Sequence, residues 1–248
     1  CVDSNETAVH AILKSFISRV TDAGLMGMAI AAEPITVALA DRQAQAAAFN
    51  SENFIFPVNG YYAADGTLYD GFNAAAVIGA MIAATPSNQS LTHAPIPGAF
   101  QVAGPLTNTQ IEYTLQNGGL VITASGSGIV WIEQGINTLV TLSADQDAGW
   151  KKIRRTKTRY ELIQRILDST EGIVGTVNND SNGRQTFIAM TNGVGQQMIA
   201  EGKLLSCDVS EDPANPATGD AAWFIIEVVD LDSIEKVYIT YRFRFAEA

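Results

Sequence analysis

The chain has 248 residues, 47% of them hydrophobic, enough to bury a sizeable core in one or two domains. A net charge of −11 argues against nucleic acid as a partner, and no apolar run reaches the ~18 residues that span a bilayer. Two cysteines, Cys1 and Cys207, make no disulfide framework, so synthesis in a reducing compartment is the simpler expectation.

The opening CVDSNETAVH lacks an initiator Met and the basic-then-apolar layout of a signal peptide, and reads as an internal point of a longer or processed protein. ETAVHAILKSFISRVTDAG (6–24) carries apolar residues at helical spacing and a glycine stop, and GMAIAA (27–32) reads as a buried strand. A second helix is expected in ITVALADRQAQAAAFN (35–50), then a strand running into a turn in NFIFPVNGYYAADG (53–66). GFNAAAVIGAMIAATPSN (71–88) is small and apolar all round, which predicts a helix buried on most sides. SNQSLTHAPIPGAF (87–100) is loop or edge, because its turn formers exclude a central strand.

Thr107, with Gln110 three residues on, predicts a capping box at the start of a short helix that Gly118 ends. GLVITASGSGIVWIEQGINTLVTL (119–142) reads as two strands joined by a Gly/Ser turn. Long helices follow over roughly 150–171 and 181–203, the second beginning at Ser181. DVSEDPANPATGD (208–220) reads as an acidic loop, AAWFIIEVV (221–229) as a strand, and DLDS (230–233) as a short polar connector. Helices and strands alternate throughout, which predicts an α/β (α+β) domain of layered sheet and helix.

IEKVYITYRFRF (234–245) places Val237, Ile239, Tyr241, Phe243 and Phe245 on one side of a strand and polar or charged residues on the other. Two partners fit: the strand 222–229 of the same chain, in a plain hairpin, or an open edge on another molecule. Burying five such side chains is worth roughly 8–15 kcal/mol in gross terms. Ordering about ten residues costs on the order of 10–20 kcal/mol, so a lone pairing would be marginal and a lattice of reciprocal pairings would not.

The chemistry of a catalytic site is sparse. His10 falls on the first expected helix and His93 in a proline-rich loop, with no cluster of metal ligands near either in the sequence. GVGQQM (193–198) lacks the third glycine of a dinucleotide loop and sits within a helix, where small residues serve close packing. Ser125 and Ser127 fit a hairpin turn better than a nucleophile elbow, and Asp145 and Asp147 precede a helix whose dipole favours negative charge. No catalytic residue, metal ligand or cofactor is expected.

The basic island stands out. Residues 151–170 hold seven basic and two acidic side chains, nearly half of the chain's 15 Lys and Arg. Lys151, Lys152, Arg154, Arg155, Lys157, Arg159 and Arg165 would spread around the exposed arc of one helix. Either this is a solvated face or it meets an acidic partner.

Several segments in one order, from about residue 45 to the end, resemble the contractile tail sheath proteins of myophages, prophages and bacteriocin particles. They are SNQSLTHAPIPGA (87–99), GGLVITASGSGIVWIEQGINTLVTL (118–142), GWKKIRRTKTRYELIQRIL (149–167) and GIVGTVNNDSNGRQTFIAMTNGVGQQMIAEGKL (172–204). RRTKTRYELI lacks the acid that such sheaths carry early in this helix. The resemblance implies a non-enzymatic sheath core, divided as 1–142, 143–233 and a C-terminal arm 234–248. It implies copies of the chain in hexameric rings, stacked helically around an inner tail tube between a baseplate and a tail terminator. Contraction would drive the tube through an envelope, with no nucleic acid bound and no direct membrane insertion. The setting would be a virion tail or tailocin particle assembled in the bacterial host cytoplasm.

In that frame, Lys151, Lys152, Arg154, Arg155, Lys157 and Arg159 are candidates to face the tube, with Arg184 on the helix from Ser181 as the rival element. The terminal strand is the candidate for addition to a neighbour's sheet, and Asp230, Leu231, Asp232 and Ser233 are the candidate hinge. Apart from the resemblance, an α/β enzyme or small-molecule-binding domain, or a non-contractile phage structural protein, stays open.

Overall fold

In chain order the first elements are α1 (Thr7–Asp22), β1 (Ala29–Ile30), α2 (Leu39–Phe49), β2 (Phe54–Ile55), β3 (Gly60–Ala63), β4 (Leu68–Tyr69) and α3 (Gly71–Ala84). β5 (Ala99–Ala103), α4 (Asn108–Gln116), β6 (Ile122–Ala124) and β7 (Val130–Ile132) follow. The chain goes on with α5 (Ile153–Thr170), α6 (Ser181–Ala200), β8 (Leu204–Glu211) and β9 (Phe224–Asp230). The computed structural model describes residues 1–235, 237, 238, 240 and 242.

The regular strands are short, but hydrogen bonds join them into one layer. β1 pairs parallel to β2 in the register Ala29↔Phe54 and Ile30↔Ile55. Beyond β2, Val58 N–H donates to Leu120 O and Leu120 N–H to Phe56 O, which brings in the segment leading to β6. β6 and β7 form the expected hairpin, and Ile96 N–H donates to Val130 O on the far side.

Period-two alternation then assigns each side chain to a layer. Ile30, Ile55, Leu120, Ile122 and Ile132 enter a core with Ile78 and Ile82 of α3. Ala29, Phe54, Phe56, Val58 and Val121 enter the opposite core with Ile17 of α1 and Ala46 and Phe49 of α2. Both faces are covered, which is why GMAIAA (27–32) and FIFPV (54–58) are apolar at every step rather than at every second one. The sheet β4-β3-β5 flanks this sandwich, and α4 starts with the expected reciprocal capping box between Thr107 and Gln110.

α3 is less enclosed than the expected burial on most sides. Asn73, Ala76, Ala80, Ala83 and Ala84 are exposed, so its apolar composition reflects small side chains and not enclosure. A second correction concerns DVSEDPANPATGD. Its first four residues complete β8, which pairs antiparallel with β9 from Leu204↔Asp230 to Glu211↔Phe224. Turn-forming Pro213 and Pro216 lie in the loop between the strands, and tertiary pairing overrides the weak strand propensity of Asp208 and Ser210.

α5, α6 and β8 close around Leu162, Ile166, Val194, Met198, Leu204 and Cys207. Gly195 is needed there, because a Cβ on it would lie 2.6 Å from that of Cys207. α5 also joins this unit to the sandwich. Thr158 Oγ1 donates to Ser87 O at 2.8 Å, the Ser87 hydroxyl donates to Glu161, and the Tyr160 hydroxyl donates to Asn53.

Candidate assembly surfaces

α5 starts after a 3₁₀ turn, Ala148–Lys151, which Asp147 caps by accepting from Gly149 N–H at 2.9 Å. Because the basic first half of α5 lies between the sandwich and the β8–β9 hairpin, it has little free arc, and the exposed residues Ile163, Gln164, Leu167 and Asp168 all fall in the second half. Its buried residues include Ile153, Arg154, Thr156, Thr158, Leu162 and Ile166, and none of the seven cations from Lys151 to Arg165 is exposed. The expected solvated basic face is therefore corrected to a set of internal partnerships.

Lys152 Nζ lies 2.5 Å from Asp232 Oδ2 and 3.0 Å from Glu235 Oε2. Burial alone would lower the Lys152 pKa, and these carboxylates more than reverse it. Arg155 forks onto Asp230, Nε to Oδ2 at 2.5 Å and Nη2 to Oδ1 at 2.6 Å, and its Nη1 reaches Asp147 at 3.0 Å. Arg159 pairs with Glu52 at 2.6 Å, and its guanidinium carbon lies 3.7 Å from the centre of the Trp150 ring.

Lys157 donates to the carbonyls of Ile82 and Thr85, capping the end of α3 with positive charge where the helix dipole is negative. Burial lowers its pKa. Arg154 is only 4% exposed. Lys151 alone of the cluster has neither an ion pair nor a side-chain hydrogen bond among the described residues. Arg184, the rival candidate, pairs with Glu211 at 2.8 Å and ties the start of α6 to β8.

The connector is equally engaged. Asp230 ends β9 in the fork of Arg155, Leu231 N–H donates to Lys203 O at 3.2 Å, and Asp232 sits on Lys152. A swing of the segment beyond Asp230 requires the Asp232–Lys152 pair to open. Of the terminal strand, Ile239, Tyr241, Phe243 and Phe245 lie outside the described residues. Val237 is described, and with Tyr238 and Ile234 it is exposed.

The surface that the sequence reading missed is the outer edge of β9. Among the described residues β9 pairs only with β8. Trp223, Ile225, Val228 and Val229 on β9 and its approach are exposed. Beside them a groove of about 370 Å³ runs between α5 and β9, with Leu162, Ile163, Ile166, Ile226 and Val228 in its walls. Reading DVSE as loop hid it. The alternation of Leu204, Cys207 and Val209 was the available signal, but it is broken by a register shift between Leu204 and Ser206.

A second ion network closes the far end of the unit. Arg165 Nη1 and Lys203 Nζ hold Glu201 at 2.8 and 2.5 Å, and both also hold Glu161. Hydrogen bonds from Arg165 and Lys203 pull the Glu201 pKa from 4.5 down to about 2. A carboxylate depressed in the fold stabilises it above the unfolded value, and that contribution fades as pH falls from about 4.5 toward 2. Denaturant unfolding between pH 5 and pH 2.5 should show this acid loss, and Glu201→Gln should make the decline shallower.

The two histidines serve packing. His10 is buried and donates from Nε2 to Ser4 O at 2.8 Å, while exposed His93 stacks on Trp131 at 4.3 Å.

Comparison with known proteins agrees with this architecture. A family described as the phage tail sheath protein central domain matches residues 1–138, more than half of the chain. The sheath tail protein of Desulfitobacterium hafniense superposes with a TM-score of 0.75 at 21% identity, covering 92% of this chain and 55% of that one. The sheath tail protein of Listeria innocua gives 0.71 at 20%, with the same coverages. The contracted helical sheath of the anti-feeding prophage gives 0.68 at 12%, over 97% of this chain and 68% of that one. No curated protein matches the sequence. The chain thus spans about 55% of the length of the first two solved relatives. Its sequence match and its layered fold together place the chain in the phage tail sheath protein family, with residues 1–138 in the family's central domain.

Proposed function

We propose that this chain is the core of a structural subunit that polymerises as a helical sheath around an inner tail tube and shortens to drive the tube through an envelope. Membership of the sheath family carries the reading, and the open β9 edge beside an apolar groove supplies a physical means of linking copies. A strand laid on that edge satisfies its main-chain groups and seats alternate side chains in the groove. The segment from Val237 to Phe245, with its period-two aromatic and aliphatic face, is the donor we assign, reaching from one copy to the next. Links of this kind persist while rigid cores swing, so a sleeve built on them shortens without coming apart. The baseplate and the tail terminator bound the sleeve at its ends, and no catalytic chemistry is assigned. The particle is a phage or tailocin tail assembled in the host cytoplasm.

Electron microscopy of the protein, alone and with tube, tests this directly. Regular striated sleeves or rings support it, and monodisperse monomers at assembly concentrations overturn it.

The contact we propose with the tube is narrower than the whole basic cluster. Lys151 is the cation left for an acidic tube surface, because its neighbours are either paired within the chain or, like Arg154, buried. Lys151→Glu should weaken co-assembly with tube while moving Tm by no more than about 2 °C, since the Lys151 side chain makes no ion pair or hydrogen bond among the described residues for the change to break. Unchanged co-assembly would remove Lys151 from the tube-facing surface.

A further inference from the structure

Arg154 is the anomaly of the basic cluster. It is 4% exposed, and its Nε and Nη1 have no hydrogen-bond partner among the described residues. A buried guanidinium that leaves two of its nitrogens without hydrogen bonds is costly. The nearest carboxylate oxygen is Asp232 Oδ1 at 3.9 Å from Nη1, beyond hydrogen-bond reach. The other oxygen of the same carboxylate, Oδ2, is held by Lys152 at 2.5 Å. Asp232 is thus seated on one cation and stands about 1 Å short of a charge-assisted bond to a second.

The segment bearing Asp232 has room to shift. Ser233, Ile234 and Glu235 border a crevice of about 610 Å³ whose apolar wall includes Leu115, Ile136 and Leu139. Ile234, at its rim, is 88% exposed. Either side of Asp232 the chain is pinned, by the Arg155 fork on Asp230 and by the contacts of Glu235 with Lys152 and with Ser90 Oγ at 2.6 Å.

We propose that residues 230–235 form a two-position latch at the root of the C-terminal arm. In the first position Asp232 sits on Lys152, as found here. In the second, Asp232 moves onto Arg154 and satisfies the buried guanidinium. Asp230 stays on Arg155 in both, so the arm changes its exit direction without detaching. The latch deepens the sheath reading, since a subunit whose arm serves two lattice geometries needs two defined arm directions, but its existence is independent of whether sleeves form.

The test uses the isolated full chain. Protection of the 231–235 amides is followed by hydrogen exchange, and cleavage after Glu235 by a glutamate-specific protease is read by mass spectrometry. With two seats, Lys152→Gln alone raises exchange and cleavage less than about threefold, because Asp232 passes to Arg154. Arg154→Met alone leaves protection at the wild-type level. The double variant opens the segment by about tenfold or more, the factor that corresponds to about 1.4 kcal/mol. If Lys152→Gln opens the segment fully and Arg154→Met adds nothing, the second seat does not exist. If the double variant stays protected, there is no latch. Circular dichroism and Tm on Arg154→Met and on Arg154→Gln check folding, and Arg154→Met should melt no lower than wild type because it removes a buried charge whose Nε and Nη1 make no hydrogen bond. Sleeve formation, scored separately by microscopy, reports on the sheath reading and not on the latch.

Discussion

Truncation after Ser233 is expected to abolish sleeve formation and leave a folded protein. In the isolated chain the described part of the arm contributes little to the fold, since Ile234, Val237 and Tyr238 are 88%, 71% and 89% exposed. The deletion removes the Lys152–Glu235 pair and the Ser90–Glu235 hydrogen bond, both part-buried. Their loss is worth on the order of 1–2 kcal/mol together, so Tm should fall by no more than about 4–8 °C. Assembly should respond quite differently. A donated strand brings roughly 1.5–3 kcal/mol per buried side chain, and each copy in a lattice both gives and receives one, so contacts after the first are effectively intramolecular. Sedimentation and microscopy should therefore show no particles even at concentrations well above those at which the full chain polymerises. Sleeves of normal length from the truncated chain would refute the donated strand and leave the β9 edge without its assigned partner.

Reversing charge at Lys157 should destabilise the fold and not merely alter its surface. The ammonium group donates to two carbonyls at the end of α3, Ile82 O and Thr85 O, and so holds α5 against the sandwich. Lys157→Met removes those bonds and leaves the carbonyls unpaired, a cost of about 1–3 kcal/mol. Lys157→Glu adds a carboxylate facing carbonyl oxygens at the negative end of a helix, which raises the loss to roughly 3–5 kcal/mol. Equilibrium denaturation should rank wild type above Met above Glu. Equal stability of all three would mean that Lys157 is a solvated residue after all, available to an external partner.

The contrast between Lys151 and Lys157 shows where reading the sequence fell short. Both belong to one basic run, and helical spacing spreads such a run around an exposed arc. That inference assumed an exposed arc along the basic first half of α5, where none of the cations is exposed. In fact Thr156, Thr158 and Leu162 are buried on sides where charge was expected to meet water, because the sandwich and the hairpin enclose the helix from different directions. Arg155 and Lys152 find partners some 75 to 80 residues away in sequence, at Asp230 and Asp232. No local pattern specifies a pairing at that separation. The connector DLDS read as a free hinge for the same reason: its acids were visible and their cations were not assigned to them.

Other features were legible because their causes are local. The capping box at Thr107 and Gln110, the glycine stop after α1 and the Gly/Ser turn between β6 and β7 each depend on residues a few positions apart. Likewise the apolar runs at 27–32 and 54–58 announced strands, the first of them buried, and the alternation of helices with strands announced layers. The order of four motifs was enough to suggest the sheath family.

By itself, then, the sequence determined most of the helices and strands, their layered α/β arrangement, and which family the chain resembles. These follow from side-chain periodicity and backbone preference over a few residues. Only the tertiary structure decided which charges are spent inside the molecule, which strand edge is left open and where the arm is held. Those outcomes depend on which distant surfaces meet, since a charged or apolar group is free or satisfied only by virtue of what lies across from it.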